Sequence, residues 1–186
     1  MLINNWYVAA WSHEVSTRKP IGVRMLGCDF VLFRNAEGRA ICLSDVCCHR
    51  GGALSGGKVN NARVVCPYHG WEFGGDGECK NIPSIGYGTK PPPRAKVDSY
   101  PVQEKYGIVF AFLGDLPEAE RPPLYDIPEF GTEGWKCQTY VLDLNAYYQR
   151  SVENGMDPIH NEFVHPLQGA PKMALDLQRN PLPMEE

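Results

Sequence analysis

The chain has 186 residues, 43% of them hydrophobic and 11% aromatic, which is enough to build a packed core and argues against disorder. A formal net charge of −4 gives no basis for nucleic-acid binding, and no run of about 18 apolar residues offers a membrane span. The start "MLINNWYVAAW" lacks the basic and apolar regions of a secretory signal, and seven unevenly spaced cysteines do not make a disulfide framework, so a reducing cytoplasm is the expected compartment.

The length suits one large domain, or one complete domain with part of another. The 19 glycines and 16 prolines point to short strands and many turns rather than long helices. Residues 1–114 bear this out as a pattern. "WYVAAW", "IGVRML", "FVLF", "AICLSD" and "ARVVC" are brief apolar runs bounded by Asn, Gly, Asp or Pro, and each predicts a strand. "YPVQEKYGIVFAFLG" predicts two more, with a turn near Lys105 to Gly107. Residues 115–134 hold Pro117, Pro122, Pro123 and Pro128 with little periodicity, and are expected to form a linker. "WKCQTYVLDL" (Trp135 to Leu144) then alternates like a strand. From Asn145, a possible N-cap, a helix is expected that Gly155 and Pro158 disturb.

Two short stretches carry chemistry. "CCHRGGAL" and "CPYHGW" align as Cys47-x-His49, sixteen residues, Cys66-x-x-His69, each closely followed by glycine. Two such loops can bring two thiolates and two imidazoles to one place. Zinc accepts two Cys and two His, but its usual spacing pairs like with like. A Rieske-type cluster takes two Cys on one iron and two His on the other, and two loops that each give one of both meet that need. The remaining alternative is four unrelated buried side chains. Cys28, Cys42, Cys79 and Cys137 have no partners at useful spacing and are expected to be small buried hydrophobes, and His13 an ordinary surface or loop histidine.

The loops "CCHRGGALSGG" and "VVCPYHGWEF" resemble those of Rieske oxygenase components, with Leu54 and Trp71 also in place. The resemblance implies a 2Fe-2S cluster held by Cys47, His49, Cys66 and His69, with Cys48 at a spacer position where the family commonly has proline. Respiratory Rieske proteins carry an extra, disulfide-forming cysteine in each loop, but Gly52 stands at the first of those places here. Tyr68 could reach a cluster sulfur, and Trp71 is expected to shield the cluster.

The second stretch is "ENGMDPIHNEFVH", in which Asp157, His160 and His165 read D-x-x-H-x-x-x-x-H. On a regular helix Asp157 and His160 lie about 60° apart, but His160 and His165 about 140° apart. A break near Pro158 is therefore needed before both imidazoles meet. Two histidines and a carboxylate with open positions are the signature of mononuclear Fe(II) oxygenases. Glu153, Asn154, Asp157, His160 and His165 match the family's E-N-x-x-D-x-x-H-x-x-x-x-H.

The resemblance implies that His160 and His165 bind mononuclear Fe(II). Asp157 would bridge this iron to a neighbouring subunit's cluster in a homotrimer, with Asn154 and Glu153 beside it in the catalytic site. It also implies a fold class: a mainly β Rieske domain over 1–114, the linker 115–134, and over 135–186 the first part of an α+β START-like, helix-grip catalytic domain. The family's third iron ligand is a distant aspartate; Asp176, Glu185 and Glu186 are available carboxylates, but none is marked for that role. The chain is accordingly expected to be a truncated oxygenase component resembling the vanillate demethylase and phthalate dioxygenase branch. Such a component hydroxylates or oxidatively demethylates a small aromatic or cyclic substrate with O2. No G-x-G-x-x-G is present, so electrons are expected from a separate reductase or ferredoxin. The alternative is a Rieske ferredoxin-like electron carrier without catalytic iron.

Overall fold

The computed structural model describes residues 3–157 together with 160 and 164. Contacts divide the chain into two units that meet between Trp135 and Lys136. The first is mainly β, in agreement with the sequence. β1 (Asn5–Trp11), β11 (Ile108–Leu113) and β10 (Val102–Lys105) form one antiparallel sheet in that order. β2 (Ile21–Met25), β3 (Cys28–Arg34), β4 (Ala40–Ser44) and β9 (Ser99–Tyr100) form a second. A third holds β5 (Lys58–Asn60), β6 (Arg63–Val65), β7 (Glu72–Phe73) and β8 (Cys79–Asn81).

Three hairpins turn on two residues with positive φ at both: Leu26-Gly27, Asn61-Ala62 and Tyr106-Gly107. That is the twist-matched geometry of the tightest β-hairpins. The turn expected near Lys105 to Gly107 is one of them. β5, β7, β8 and β9 are two or three residues long and show no periodicity in the sequence.

β3 is the dividing wall of the unit. Phe30, Val31, Leu32 and Phe33 are all buried, so both faces of this strand are covered, which is why the sequence shows a continuous apolar run rather than alternation. Alternate side chains serve different cores. Phe30 and Leu32 join Ala40, Cys42, Val109 and Ala111 on one side. Val31 and Phe33 join Leu43, Leu54, Val64, Phe73 and Ile82 on the other. This second core also contains Cys47 and Cys66, so the loops that carry them rest on a fully apolar floor.

One ionic clamp ties the first two sheets to the β1–β2 connection. The Arg34 guanidinium donates to both Glu104 carboxylate oxygens (2.7 and 2.9 Å), to the Ser12 and Val15 carbonyls, and to Gly38 O. Hydrogen bonds from Arg34 hold the Glu104 carboxyl well below the usual carboxylate range, at about 2, against the opposing effect of burial; Ser12 Oγ also donates to it. A depressed carboxyl stabilises the fold above its unfolded pKa, and that contribution is lost as pH falls through the folded value. Unfolding followed in urea between pH 6 and 2 is therefore expected to lose about 1 kcal/mol, after solvent screening, from near pH 4.5 downward. Glu104→Gln should flatten that acid branch.

Residues 115–130 lie along the first unit. Trp6 Nε1 donates to Pro122 O (2.7 Å), and Lys105 and Tyr106 hold Asp126 at 2.8 and 3.0 Å. Phe130 packs edge-on against Tyr106.

In the second unit the outcome differs from expectation. Residues 135–144 form no strand ladder among the described residues, although their sequence alternates. Alternation reports a side-chain pattern, whereas a strand also needs a neighbouring chain to pair with. The helix α1 runs Tyr148–Met156 with Tyr147, not Asn145, at its N-cap. It stops where Pro158 demands, since Asp157, the residue before proline, takes φ −110 and ψ 87. Cys42 and Cys79 are buried as expected, and burial pushes the Cys42 thiol up to about 12. Cys28 and Cys137 are instead exposed: Cys28 ends the β2–β3 hairpin, and Cys137 lies in the unpaired stretch. Among the described residues no helix is long and apolar enough to cross a membrane.

Candidate metal centre

Two loops leave the edges of the second core. The first, residues 45–53, follows β4; the second, residues 66–71, joins β6 to β7. They share one backbone frame. In the first, Cys47 N–H donates to Gly52 O (3.0 Å) and Gly51 N–H to Cys47 O (2.9 Å). In the second, Cys66 N–H donates to Trp71 O (2.8 Å) and Gly70 N–H to Cys66 O (3.0 Å). Each glycine stands four residues after its cysteine and adopts positive φ, +70 at Gly51 and +72 at Gly70. A side chain is strained in that region, which explains the glycine in both motifs. The histidine is two residues after cysteine in one loop and three after it in the other, so matching frames deliver imidazoles from different positions.

The base of the first loop is closed by Asp45, which is buried. Its carboxylate accepts from the backbone N–H and the hydroxyl of Ser55, both at 2.6 Å, and its carbonyl accepts from Leu54 N–H. Gly57 then lies directly against the carbonyl of Val65, the residue before Cys66; a Cβ there would come within 1.9 Å of that oxygen. Glycine is therefore obligatory, and the contact sets the spacing of the two loops. Gly52 approaches from the first loop at a looser fit, a Cβ there lying 3.4 Å from Cys66 Sγ. No local signal marks Asp45 in the sequence, because its partner is ten residues away.

The side chains face one another in two pairs. Cys47 and Cys66 are buried with their thiols beside each other, and the His49 backbone N–H points at the Cys47 sulfur. Burial, above all, pushes the Cys47 thiol up to about 12. The His49 and His69 rings lie 4.6 Å apart. His49 is half-buried and stacks parallel on Trp71 at 4.5 Å, while His69 is exposed and carries the Tyr68 ring at 4.0 Å. Burial lowers the His49 pKa, with the His69 and Arg50 charges adding to it. Its Nδ1 is buried with no hydrogen-bond partner among the described residues, a costly state for a polar atom unless something binds there.

That orphaned nitrogen, two facing thiols and a second imidazole fit a two-iron, two-sulfide group with sulfur donors inside and nitrogen donors toward solvent. Among the described residues no three His, Cys, Asp or Glu gather as ligands of one ion. A two-iron cluster asks only two protein ligands of each iron. Cys48 is exposed beside this site, its sulfur facing the backbone N–H of Lys96.

The second stretch lies in the other unit. Glu153 and Asn154 sit on α1, where the Glu153 carboxylate pairs with Arg150 at 2.5 Å on an exposed face. Beyond the helix end, His160 Nδ1 lies 2.5 Å from the Asp157 carbonyl oxygen. A carbonyl can only accept, so Nδ1 carries the proton and Nε2 keeps the lone pair that a metal would take. His165, Asp176, Glu185 and Glu186 lie outside the described residues.

Loops of this kind on a mainly β unit define an iron–sulfur protein, and the comparisons specify which. The description Rieske [2Fe-2S] domain matches residues 5–101, and the chain belongs to that family. It is 36% identical over 167 residues to a putative toluene-4-sulfonate monooxygenase system iron–sulfur subunit of Comamonas testosteroni, covering 89% of this chain and 47% of that protein. It is 40% identical over 174 residues to the phenoxybenzoate dioxygenase alpha subunit of Ectopseudomonas oleovorans, covering 86% and 42%. Among solved structures, dicamba monooxygenase bound to 3,6-dichlorosalicylic acid superposes with a TM-score of 0.75 at 34% identity, over 88% of this chain and 47% of that one. The chain thus spans about half the length of the relatives it matches.

Proposed function

We propose that the chain is the oxygenase component of a Rieske non-haem iron system acting in a reducing cytoplasm. Its divisions would be a Rieske domain over 1–114, a linker over 115–134 and the first part of a catalytic domain over 135–186. Cys47 and Cys66 would hold one iron of the 2Fe-2S cluster, His49 and His69 the other, and His160 and His165 a mononuclear iron. The cluster supplies a one-electron store, and the mononuclear Fe(II) supplies O2 activation for hydroxylation or oxidative demethylation of a small aromatic or cyclic substrate.

The observation that carries this reading is the pair of matched loops with the orphaned His49 Nδ1 between them. The chain's own residues do the positioning. Two backbone frames fix the cysteines over an apolar floor, and Trp71 covers the inner face of His49. The exposed His69 marks the edge where electrons enter or leave. Asp157 would link the mononuclear iron to a neighbouring subunit's cluster histidine in a homotrimer, with Asn154 and Glu153 on the adjoining helix. A separate reductase or ferredoxin would donate the electrons. The relatives' names support this reading: one is a monooxygenase system subunit and another a dioxygenase alpha subunit.

The test is a count of iron, sulfide and zinc together with an EPR spectrum of the reduced protein. About two irons and two sulfides in the cluster, with a Rieske-type signal, are expected. A colourless protein loaded with zinc overturns the reading. A cluster with no site for additional iron leaves an electron carrier.

A further inference from the structure

The β10–β11 hairpin turns on Tyr106-Gly107, with Tyr106 at φ +59. Turns of this geometry favour Asn-Gly, because a bulky side chain is strained where φ is positive. Leu26, at the same place in the β2–β3 hairpin, sets its side chain against the core of Phe30 and Leu32. Tyr106 belongs to neither core. Strain kept at a hairpin tip asks what the side chain does instead.

Tyr106 holds the chain that follows β11. Its hydroxyl accepts from Ile127 N–H (2.6 Å) and directs its own proton at the Tyr125 carbonyl (3.1 Å) and the Asp126 carboxylate (3.0 Å). Lys105 Nζ reaches the same two groups at 3.4 and 2.8 Å and lies 5.0 Å from the centre of the Tyr106 ring. Phe130 closes on that ring from outside, centre to centre 4.8 Å. The rest of the turn is anchored inward: Glu104 pairs with Arg34, and the Gly107 carbonyl accepts from Ser12 N–H (2.8 Å). All four residues of Glu104-Lys105-Tyr106-Gly107 are thus engaged, two with the first unit and two with residues 125–130. Earlier contacts lead the segment there. Asn4, at φ +61, accepts through Oδ1 from the Asp115 and Leu116 N–H groups (2.8 and 3.2 Å), and Trp6 holds the Pro122 carbonyl. Past Phe130 the character changes: Gly131 and Gly134 take φ +78 and +88, and a Cβ on either would meet nothing within 4 Å.

We propose that Tyr106 is a positioning residue. By clasping residues 125–130 it fixes the point at which the chain leaves the first unit and narrows the free joint to residues 131–134. It thereby governs how fast electrons held by the cluster reach the mononuclear iron. The proposal rests on the oxygenase reading above and adds to it a residue outside the candidate ligand sets. One electron leaves the cluster and one arrives at the iron site, and no bond to Tyr106 forms or breaks.

The test variant is Tyr106→Phe, which keeps the ring against Phe130 and removes the hydroxyl. Amide hydrogen exchange of the cluster-loaded chain, read by mass spectrometry, reports on the clasp. Peptides covering residues 121–130 should exchange at least about fivefold faster in the variant, because the Ile127 amide loses its acceptor, while peptides from β3 and the cluster loops keep their rates. Asp126→Ala, made on the held segment itself, should speed the same peptides, and combining the two changes should add little. The Rieske-type EPR signal should match the parent's in every variant. In oxygenase assays with substrate and O2, the reduced cluster should be reoxidised at least about tenfold more slowly in Tyr106→Phe, since a small misplacement of reacting groups is costly. Unchanged exchange over residues 121–130 overturns the clasp. Faster exchange with unchanged reoxidation overturns its role in electron supply. Loss of the EPR signal in Tyr106→Phe makes the turn part of the cluster fold and overturns the proposal too. A parent with the cluster signal but neither mononuclear iron nor turnover refutes the oxygenase reading, and the electron step with it, before any variant is compared.

Discussion

Cys66→Ala is expected to abolish the Rieske-type EPR signal and to lower cluster iron from about two per chain to near zero. The size of the effect follows from the site. Cys66 is buried, faces Cys47 and is fixed by two backbone hydrogen bonds to Trp71 and Gly70. Alanine keeps both of those bonds and the left-handed glycine after them, so the loop frame survives while the sulfur is lost. With one thiolate gone, an iron has a single protein sulfur, and the cluster lacks the ligand set that holds it. Two controls separate this from general damage. Cys42→Ala empties a comparably buried position in the other core and should cost about 1–2 kcal/mol with the signal intact. Cys48→Ala should leave signal and iron unchanged, because Cys48 is exposed at the spacer position. Loss of the signal from Cys48→Ala with retention in Cys47→Ala would reverse the ligand assignment. Iron, sulfide and EPR measurements on the four proteins decide it.

The parts of this molecule that were legible in the sequence share a physical cause. β1 to β4, β6 and β11 are apolar runs bounded by turn formers, and polar β10 is marked by the turn that follows it, so burial and turn chemistry both wrote themselves into local order. β5, β7, β8 and β9 were not legible because two or three residues cannot display a period. Their pairing comes from the hairpin at Asn61-Ala62 and from packing beneath the loops. The residues 135–144 fail in the opposite direction: the pattern is present and no ladder forms among the described residues. The burial expected of all four cysteines outside the loops was likewise wrong for Cys28 and Cys137, since burial depends on where the residue falls in the fold and not on residue type alone.

For the candidate centre, residue type and spacing picked out Cys47, His49, Cys66 and His69, and the structure sets them in two pairs, Cys47 with Cys66 and His49 with His69. What spacing could not show is how the loops are held. The matched frames are backbone bonds, Asp45 acts on Ser55 across the loop, and Gly57 touches Val65 from a different sheet segment. Each is a long-range or side-chain-independent feature, invisible to a motif.

His160→Ala and Asp157→Asn are expected to separate iron binding from electron supply. His160 Nδ1 lies against the Asp157 backbone carbonyl, and this contact fixes the tautomer with Nε2 as the metal-binding nitrogen. His160→Ala removes that nitrogen. The protein should then bind no mononuclear iron, give no ferrous–nitrosyl EPR signal after nitric oxide treatment, and keep the cluster signal at full intensity. Under the proposed function, turnover should fall below about 1% of the parent. Asp157→Asn leaves the backbone carbonyl in place, and asparagine tolerates the non-helical conformation ahead of Pro158. His160 should therefore stay oriented and the nitrosyl signal should survive. Only the carboxylate is lost, so a bridging role predicts normal cluster reduction and normal mononuclear iron, with substrate turnover lowered at least about 100-fold. A purely structural role for Asp157 predicts the reverse, with iron loading and turnover falling together. Turnover and nitrosyl signal measured on the same samples distinguish the two, and full activity in either variant removes that residue from the mechanism.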